Sequence, residues 1–540
     1  MRSIKTNSEL SHLESRVLHY AQHYNRTLPE MRFFILDAME FASLLLKGVY
    51  PSSPVNIWEG KQMVNTRHRI ETGQESSLYY EVVQTGRPSY AYLNENNDAM
   101  CQASVMAHVV GHCEFSELNV LHDSNDDRTE YVMYLTNLVN RSRRQMGELN
   151  YRTYWNAAES IKSMLAPNSQ FNLKRSVDSD LMTSIEEEDE LQENTANPFP
   201  FSSTLDRLIH DPQKTLDRVV KDDIKQKSRR ETLSRKGYKL KAPCEDVLDF
   251  LRNYAPSSAG EKSILDYMYT THVTHDFVGR TQIMNEGWAM YWEKKIMMDL
   301  FGESACKGII DYCKIFSGVC YPRPYFQRNP YHLGFHMWGH IEELFAKGKV
   351  SQAFHEETDR KKQATWNKGG TETPLKSMEN IVKTCTDYEF LRRFLTNDLI
   401  EELHLNRLHK SQAKQYGITA DDIYQEDKQW VWLHRDGIKD EMLKFFTHMY
   451  RPRIYLIDDD FLDGGLLLYH RDDDRELRQD WIRPTLKNIN LLWKGPVSLL
   501  TKDALYTHTS TTFTQNKSVQ PSFELVKDRM RDGVKPFRYK

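Results

Sequence analysis

The sequence predicts a mainly α-helical protein that ends in a small α+β domain, and three observations support this fold class. Apolar residues recur at the 3.6-residue period of a helix through most of the first 450 residues. A highly charged stretch interrupts this period, and short apolar runs of strand length replace it near the C-terminal end. Because 540 residues exceed what one compact core usually holds, we expect four regions: helices in 1–165, a flexible charged insertion in 166–241, helices in 242–450, and the α+β domain with a tail in 451–540.

The composition argues against two classes of binding partner. Lysine and arginine total 72 against 76 aspartates and glutamates, which gives a net charge of −4 and no overall electrostatic attraction to nucleic acid or to an acidic membrane. No apolar run reaches the roughly 20 residues that cross a bilayer, and the first 24 residues lack the apolar core of a signal peptide. We therefore expect a cytoplasmic protein without a membrane span, with seven reduced cysteines and with other proteins as its possible partners.

Helical periodicity defines the first region. We expect helices at 30–46, 76–83, 100–117 and 126–149. In the last of these, apolar residues repeat at i, i+3, i+4, i+7 and i+8, which places them on one face. The predicted insertion that follows carries an acidic run and then a basic block with few aromatic residues. This pattern is typical of a solvated linker, so it is favoured over a polyelectrolyte-binding segment.

The helical period returns after residue 242, and a different pattern closes the chain. We expect helices at 246–254, 261–269, 281–301, 329–346 and 390–403. Strand-like runs at 453–457 and 466–470 then flank a Gly-Gly pair, which is a hairpin signal. A helix around 486–492 and a strand at 497–500 complete a β-β-α-β order, and the tail after 505 has no period.

The helix predicted at 100–117 contains two histidines four residues apart. Side chains at this spacing project from the same face, one turn apart, so His108 and His112 can hold one metal ion. Helix-borne zinc hydrolases use this spacing, but Val109 stands where they carry a catalytic glutamate. Taken alone, the pair is also compatible with two buried structural histidines.

A second motif, Asn285-Glu286-Gly-Trp-Ala, opens the helix predicted at 281–301. Glu286 would add a carboxylate to the histidine pair, which gives the three protein ligands of a catalytic zinc site and a zincin-like helical body. Glu293, seven residues later and on nearly the same face, could act as a base or a second ligand. Glu286 is also compatible with a simpler role, in which the carboxylate is favoured by the helix dipole.

A third motif follows Asn329 and Pro330, which mark a helix start. His332, His336 and His340 form a stripe along this helix, and two glutamates, Glu342 and Glu343, follow within its reach. The stripe is equally compatible with metal binding and with solvent-exposed histidines.

Two weaker groups remain. Glu81 lies in a mostly apolar stretch predicted as helix, where a buried acid needs a partner or a function. His272, His275 and Asp276 precede the Asn-Glu-Gly motif and could add a ligand, although surface positions are the simpler interpretation.

Together these motifs resemble the SpoVR-like family (stage V sporulation protein R). The resemblance covers most of the chain except 166–241 and rests on separated motifs in a constant order. They are Ala-Tyr-Leu at 91–93, Val-Met-Ala-His-Val-x-Gly-His at 105–112, Met-Asn-Glu-Gly-Trp-Ala at 284–289, Asn-Pro-Tyr-x-Leu-Gly at 329–334, Phe-Leu-Thr-x-x-Leu at 394–399 and Arg-Pro-Arg-Ile-Tyr-Leu-Ile-Asp at 451–458.

The chain also departs from the family's pattern at two positions near the predicted site. Glu114-Phe115-Ser116-Glu117 stands where the family usually has Asp-Phe-Phe-Lys, and Glu293 stands on the Asn-Glu-Gly helix where a histidine is common. The resemblance implies a role in spore cortex assembly in sporulating members, but it does not by itself imply a reaction.

Two functions from different classes follow. In the first, the protein is a cytoplasmic metal-dependent hydrolase: His108, His112 and Glu286 hold a divalent metal, with zinc as the leading choice, and the general base is a glutamate. The three glutamates considered for that role are Glu81, Glu114 and Glu293. In the second, the protein is a non-catalytic regulator or scaffold of sporulation or stress response, and the same polar residues form a structural network.

Overall fold

The computed structural model describes residues 2–37, 40, 82–121, 128–165, 244–370, 373–448, 451–462, 464–471 and 477–517. The chain divides into two compact units, and each unit is assembled from two separate stretches of sequence. The first unit combines Met1–Asp126 with Phe277–Met449, and the second combines Asp127–Asp276 with Tyr450–Lys540. The predicted insertion at 166–241 lies outside the described residues.

The elements of the described residues are numbered in chain order. The α-helices are α1 Ser8–His23, α2 Ala99–Leu118, α3 Arg128–Met146, α4 Glu148–Ser160, α5 Val247–Tyr254, α6 Ala259–Gly302, α7 Ile309–Val319, α8 Pro330–Ala346, α9 Gln352–Glu356, α10 Arg360–Ala364, α11 Pro374–Thr384, α12 Asp387–Phe394, α13 Asn397–Glu402, α14 Lys410–Gln415, α15 Arg435–His448 and α16 Gln479–Trp493. The strands are β1 Arg2–Ser3, β2 Met31–Leu36, β3 Val82–Gln84, β4 Ser89–Asn94, β5 Arg407–His409, β6 Ile423–Glu426, β7 Trp430–Leu433, β8 Arg453–Phe461, β9 Gly465–Arg471, β10 Val497–Leu500, β11 Leu505–His508 and β12 Phe513–Asn516.

The mainly helical character is confirmed. The helices predicted at 100–117, 126–149, 246–254 and 329–346 correspond to α2, α3, α5 and α8, with ends that agree within three residues. The helices predicted at 261–269 and 281–301 are parts of one continuous 44-residue helix, α6. The helix predicted at 390–403 is instead divided into α12 and α13, because Leu395 and Thr396 have extended backbones.

Two of the N-terminal helix predictions were wrong within the described residues: parts of the helices predicted at 30–46 and 76–83 belong instead to a four-stranded sheet. Residues 31–36 form β2, which runs parallel to β4, and Val82 and Val83 lie in β3. The strand order of the sheet is β1-β2-β4-β3. The short apolar runs of β2 and β3 are compatible with either structure, and pairing with β4 decides in favour of strands.

Three helices of the first unit approach so closely that only glycine fits between them. A Cβ on Gly111 of α2 would lie 2.4 Å from the Cα of Ala289 on α6. A Cβ on Gly287 of α6 would lie 2.2 Å from the carbonyl carbon of Gly334 on α8, and one on Gly334 would lie 2.0 Å from the Ile283 oxygen. Each of these glycines belongs to one of the three central sequence motifs, so the motifs meet in space through backbone contacts.

The core around these contacts is dense and aromatic. Every residue of α2 from Met100 to Ser116 is buried, and three tryptophans are fully buried beside it: Trp288, Trp292 and Trp338. The rings of Trp288 and Trp338 meet edge to face, with centroids 4.8 Å apart. A helix that is apolar on all sides belongs in the interior, so α2 holds its two histidines inside the unit.

The second unit contains the small C-terminal sheet that the sequence predicts. Strands β8 and β9 form an antiparallel hairpin, α16 follows, and β10 pairs in parallel with β9. The tail after 505, which has no period in the sequence, was predicted to be loose, and this was wrong for residues 505–516: β11 pairs antiparallel with β10 and β12 pairs antiparallel with β11, in the order β12-β11-β10-β9-β8.

Two simpler predictions can be compared with the described residues. All seven cysteines are free thiols, and only Cys313 is exposed. None of the helices in the described ranges has both the length and the apolar character needed to cross a bilayer.

Candidate metal centre

Two helices bring the two histidines and the glutamate of the sequence prediction together. His108 and His112 lie one turn apart on α2, with ring centroids 4.7 Å apart. From α6, the Glu286 Oε2 atom lies 3.3 Å from His112 Nε2 and 3.6 Å from His108 Nε2. One ligand atom from each of the three residues lies within 4.8 Å of the other two. Among the described residues, this is the only such group of three potential metal ligands.

The Glu286 carboxylate is ionised in this environment. Burial alone would raise its pKa, but His112 and His108 outweigh that effect and lower the pKa to about 2. Its side chain is 18% exposed, and the histidines are 5% and 9% exposed. The centre therefore places a partly buried anion against two imidazole nitrogens, an arrangement that favours a bound cation.

Each histidine is held by a second side chain on α6. His112 Nδ1 donates to Asn285 Oδ1 at 2.8 Å, and His108 Nδ1 donates to Glu293 Oε2 at 2.9 Å. Both Nδ1 atoms are therefore engaged by the protein, and both Nε2 atoms face Glu286. Histidines that bind metals almost always show this division of roles between their two nitrogens.

The donor set fits a divalent metal ion. Zinc accepts two imidazole nitrogens and one carboxylate oxygen at about 2.0–2.2 Å, which separates neighbouring ligands of a tetrahedral site by about 3.3 Å. The two separations between the Glu286 oxygen and the imidazole nitrogens, 3.3 and 3.6 Å, agree with this spacing.

The structure does not bring Glu114 to this centre. Two positions after His112, its side chain projects from another face of α2. There its Oε1 atom accepts from Arg26 and from the Thr27 backbone, both at 3.1 Å, and its Oε2 atom accepts from Trp288 at 3.0 Å. Burial raises the pKa of Glu114. These contacts favour a structural role, in which Glu114 and Arg26 neutralise each other within the core.

Glu293 does reach the centre, but it lies behind His108 rather than beside Glu286. Its Oε2 atom accepts from His108, and its Oε1 atom accepts from Ser104 at 2.6 Å. Glu81, the third glutamate considered as a base, lies outside the described residues.

Sequence reasoning missed three contributors to the centre. Asn285 accepts a hydrogen bond from His112, Ser104 donates to Glu293, which contacts His108, and the Tyr331 ring at the start of α8 lies 6.0 Å from the His108 ring. Asn285 and Tyr331 belong to the Asn-Glu-Gly and Asn-Pro-Tyr motifs, which could have suggested them. Ser104 stands four residues before His108, so the helical period placed it on the correct face.

The histidine stripe of α8 is not brought to the centre. Burial and the neighbouring His336 lower the pKa of His332 to about 4, and burial also lowers the pKa of His336 and of His340. All three are therefore neutral near pH 7. His336 and His340 line a separate cavity of about 530 Å³ between α6 and α8, and Glu342 and Glu343 line the same cavity.

The remaining predicted group belongs to the other unit. His272 lies on α6 within the second unit and is partly buried. The side chains of His275 and Asp276 lie outside the described residues. The possibility that these residues supply a ligand stays a prediction.

Comparison with known proteins agrees with the motifs that form the centre. The family described as "SpoVR like protein" matches residues 5–444. A protein of Escherichia coli (strain K12), named "Uncharacterized protein YcgB", is 26% identical over 303 residues. That match covers 54% of this chain and 56% of the relative, which is about half the length of each. No solved structure matches. Because the family match extends over most of the chain and includes all three helices of the centre, this chain belongs to the SpoVR family.

Proposed function

We propose that this protein is a zincin-like hydrolase that uses one divalent metal ion, with zinc as the leading choice. The observation that carries the proposal is the convergence of His108, His112 and Glu286, whose facing atoms are 3.3–3.6 Å apart across the two helices. Two histidines and one glutamate are the protein ligands of several catalytic zinc sites, which leave the fourth position open. A structural zinc site is usually closed by four protein ligands instead.

The roles of the side chains follow from their contacts. A divalent ion at this position would supply a Lewis acid that polarises a carbonyl group and lowers the pKa of water to about 7. Glu286 balances one positive charge of the ion, while Asn285 and Glu293 orient the two imidazoles. The general base has to come from another residue, and Glu81 is the remaining choice among the three predicted glutamates.

The proposed substrate is an amide, in a peptide or in a precursor of the cell envelope. An amide carbonyl is a poor electrophile, so its hydrolysis benefits from a Lewis acid and an activated water molecule. The link to cell-envelope chemistry comes from the association of sporulating relatives with the spore cortex, which the family resemblance implies. A cytoplasmic location and a role in sporulation are parts of the same proposal.

Metal analysis of the purified chain tests the centre. We expect about one equivalent of a divalent transition metal in the wild type and less than about 0.2 equivalents in His108→Ala or His112→Ala. His336→Ala is the matched control, because it removes an imidazole from α8 that lies outside the ligand group; it should retain the metal. Equal metal content in all four proteins would overturn the proposed site.

A second function, that of a non-catalytic regulator or scaffold, is favoured by one observation. Val109, at the position where helix-borne zinc hydrolases with this histidine spacing carry their catalytic glutamate, is fully buried in the core. Assays of the metal-loaded protein on peptide and envelope-precursor amides separate the two functions. Hydrolysis that Glu286→Gln abolishes supports the hydrolase, whereas stoichiometric metal without turnover supports the regulator.

A further inference from the structure

A buried carboxylate lies directly behind one of the two histidines. Glu293 is 6% exposed and contacts two side chains of α2 across the α2–α6 interface. The His108 Nδ1 atom lies 2.9 Å from its Oε2, and the Ser104 hydroxyl lies 2.6 Å from its Oε1. Ser104 and His108 are themselves buried. Both oxygens of this carboxylate are therefore engaged by donors from the same face of α2.

These contacts fix the orientation of the imidazole. An ionised carboxylate only accepts hydrogen bonds, so His108 must carry its proton on Nδ1 to satisfy Glu293. Its Nε2 atom then presents a lone pair toward Glu286, where the metal would lie. Any other ring orientation or tautomer would leave the Oε2 atom of this buried carboxylate without the His108 donor, which costs free energy.

The neighbours of Glu293 reinforce this interpretation. Burial, and then the Glu293 charge, raise the pKa of the Tyr312 hydroxyl and raise the pKa of the Cys320 thiol to about 12. Both groups therefore remain neutral near pH 7 and add no negative charge beside that of Glu293.

The two histidines differ in the side chains that contact their Nδ1 atoms, since His108 contacts a charged carboxylate and His112 contacts the neutral amide of Asn285.

We propose that Glu293, aimed by Ser104, is a positioning residue that sets the metal affinity of the centre through His108. This inference rests on the metal site proposed above, but it does not depend on hydrolysis. Glu293 contributes by holding Nε2 in place and by making the imidazole a stronger donor. It would also provide the second negative charge that balances a divalent cation.

Zinc affinity, measured by competition with a chromogenic chelator, tests the inference without any substrate. Glu293→Gln should bind Zn²⁺ about 10–100-fold more weakly than the wild type, because the amide removes the charge and can present a donor to His108. Ser104→Ala keeps the carboxylate and should weaken binding only a few fold. The control is Glu303→Gln, which makes the same charge change at an exposed ion pair with Arg16 just beyond α6; it should bind like the wild type.

A spectroscopic measurement separates positioning from general destabilisation. With cobalt(II) at saturation, Glu293→Gln should shift the d–d absorption of the centre, while Glu303→Gln should not. Wild-type zinc affinity in a folded Glu293→Gln protein would overturn the inference, as would an equal loss in the Glu303 control. If Glu293→Gln does not fold, Ser104→Ala decides, since unchanged affinity there contradicts the proposal. A protein that shows these affinity differences but hydrolyses nothing refutes only the proposed function.

Discussion

At the residue scale, three side chains define the centre and a surrounding set decides how each one is presented. His108 and His112 receive hydrogen-bond partners of different charge, and Glu286 lies between their Nε2 atoms. The presentation of these three side chains therefore depends on residues that do not face the proposed metal position. The surroundings of a buried histidine outside the centre, His332, likewise control its properties.

His332 should make folding stability dependent on pH. Its pKa is lowered from 6.5 to about 4, first by burial and then by His336. Between these values the unfolded chain binds a proton that the folded chain does not. The contribution of His332 is therefore fully present above pH 6.5 and is lost as the pH falls toward 4, by up to about 3 kcal/mol.

Chemical denaturation between pH 7 and pH 4 measures this effect. His332→Asn removes the titrating group, so its free energy of unfolding should fall less steeply with acid than that of the wild type. His355→Asn is the control, because His355 is exposed and its loss should leave the slope unchanged. Identical slopes for the wild type and His332→Asn would contradict the prediction.

The sequence was sufficient to predict that His108, His112 and Glu286 come together, but not which residues contact them. The i, i+4 spacing places His108 and His112 on one face whatever the tertiary structure is, and the Asn-Glu-Gly motif pointed to Glu286. The role of Glu293 depends on how α2 crosses α6, and 185 residues separate it from His108. Local periodicity contains no information on such a crossing, so the sequence alone offers Glu293 as a base or as a second ligand.

At the element scale, the close approach of α2, α6 and α8 positions the centre. Gly111 lies against Ala289, and Gly287 lies against Gly334. These contacts bring the helix axes closer together than larger residues at the glycine positions would allow. Side chains from α2 and α6 can therefore meet at one point.

Gly287→Ala should therefore damage both the fold and the metal site. Its Cβ would lie 2.2 Å from backbone atoms of Gly334, which cannot move aside as a flexible side chain could. We expect a loss of about 2–3 kcal/mol in the free energy of unfolding and weaker zinc binding. Gly302→Ala is the matched control on the same helix, since nothing lies within 4 Å of its added Cβ; it should be neutral or slightly stabilising.

Thermal or denaturant unfolding and chelator competition on both variants check this prediction. Equal stability of the Gly287 and Gly302 variants would show that α6 and α8 can separate without cost.

The helices themselves could be predicted because their 3.6-residue period is visible locally. The N-terminal sheet could not, because β2 is specified by its pairing with β4.

At the scale of the whole molecule, each unit is built from two stretches of chain. In the second unit, Cys244 and Leu456 exchange backbone hydrogen bonds at 2.7 Å, and the Phe250 ring contacts the Trp493 ring at a centroid distance of 5.7 Å. The four consecutive regions predicted from composition follow the order of the sequence. Composition does not reveal that distant segments combine into one unit.

A chain truncated after residue 449 should lose the structure of the second unit but keep the metal site. Residues 127–276 would lack their partners at 450–540, and their buried apolar residues would become exposed. We expect stronger binding of a hydrophobic dye and faster proteolysis within 127–276, with zinc affinity within a few fold of the full chain. A loss of zinc binding would show that the centre depends on the second unit.

The separation of the ligands along the chain has a consequence during synthesis. The histidine pair leaves the ribosome long before the helix that carries Glu286, since His108 and Glu293 are 185 residues apart. At about 5–20 residues per second this interval lasts roughly 10–40 s. Throughout that time the proposed centre has only the imidazoles of His108 and His112, which is fewer than the three protein ligands of a catalytic zinc site. At the proposed centre, metal loading would therefore follow the emergence of α6 and its packing against α2.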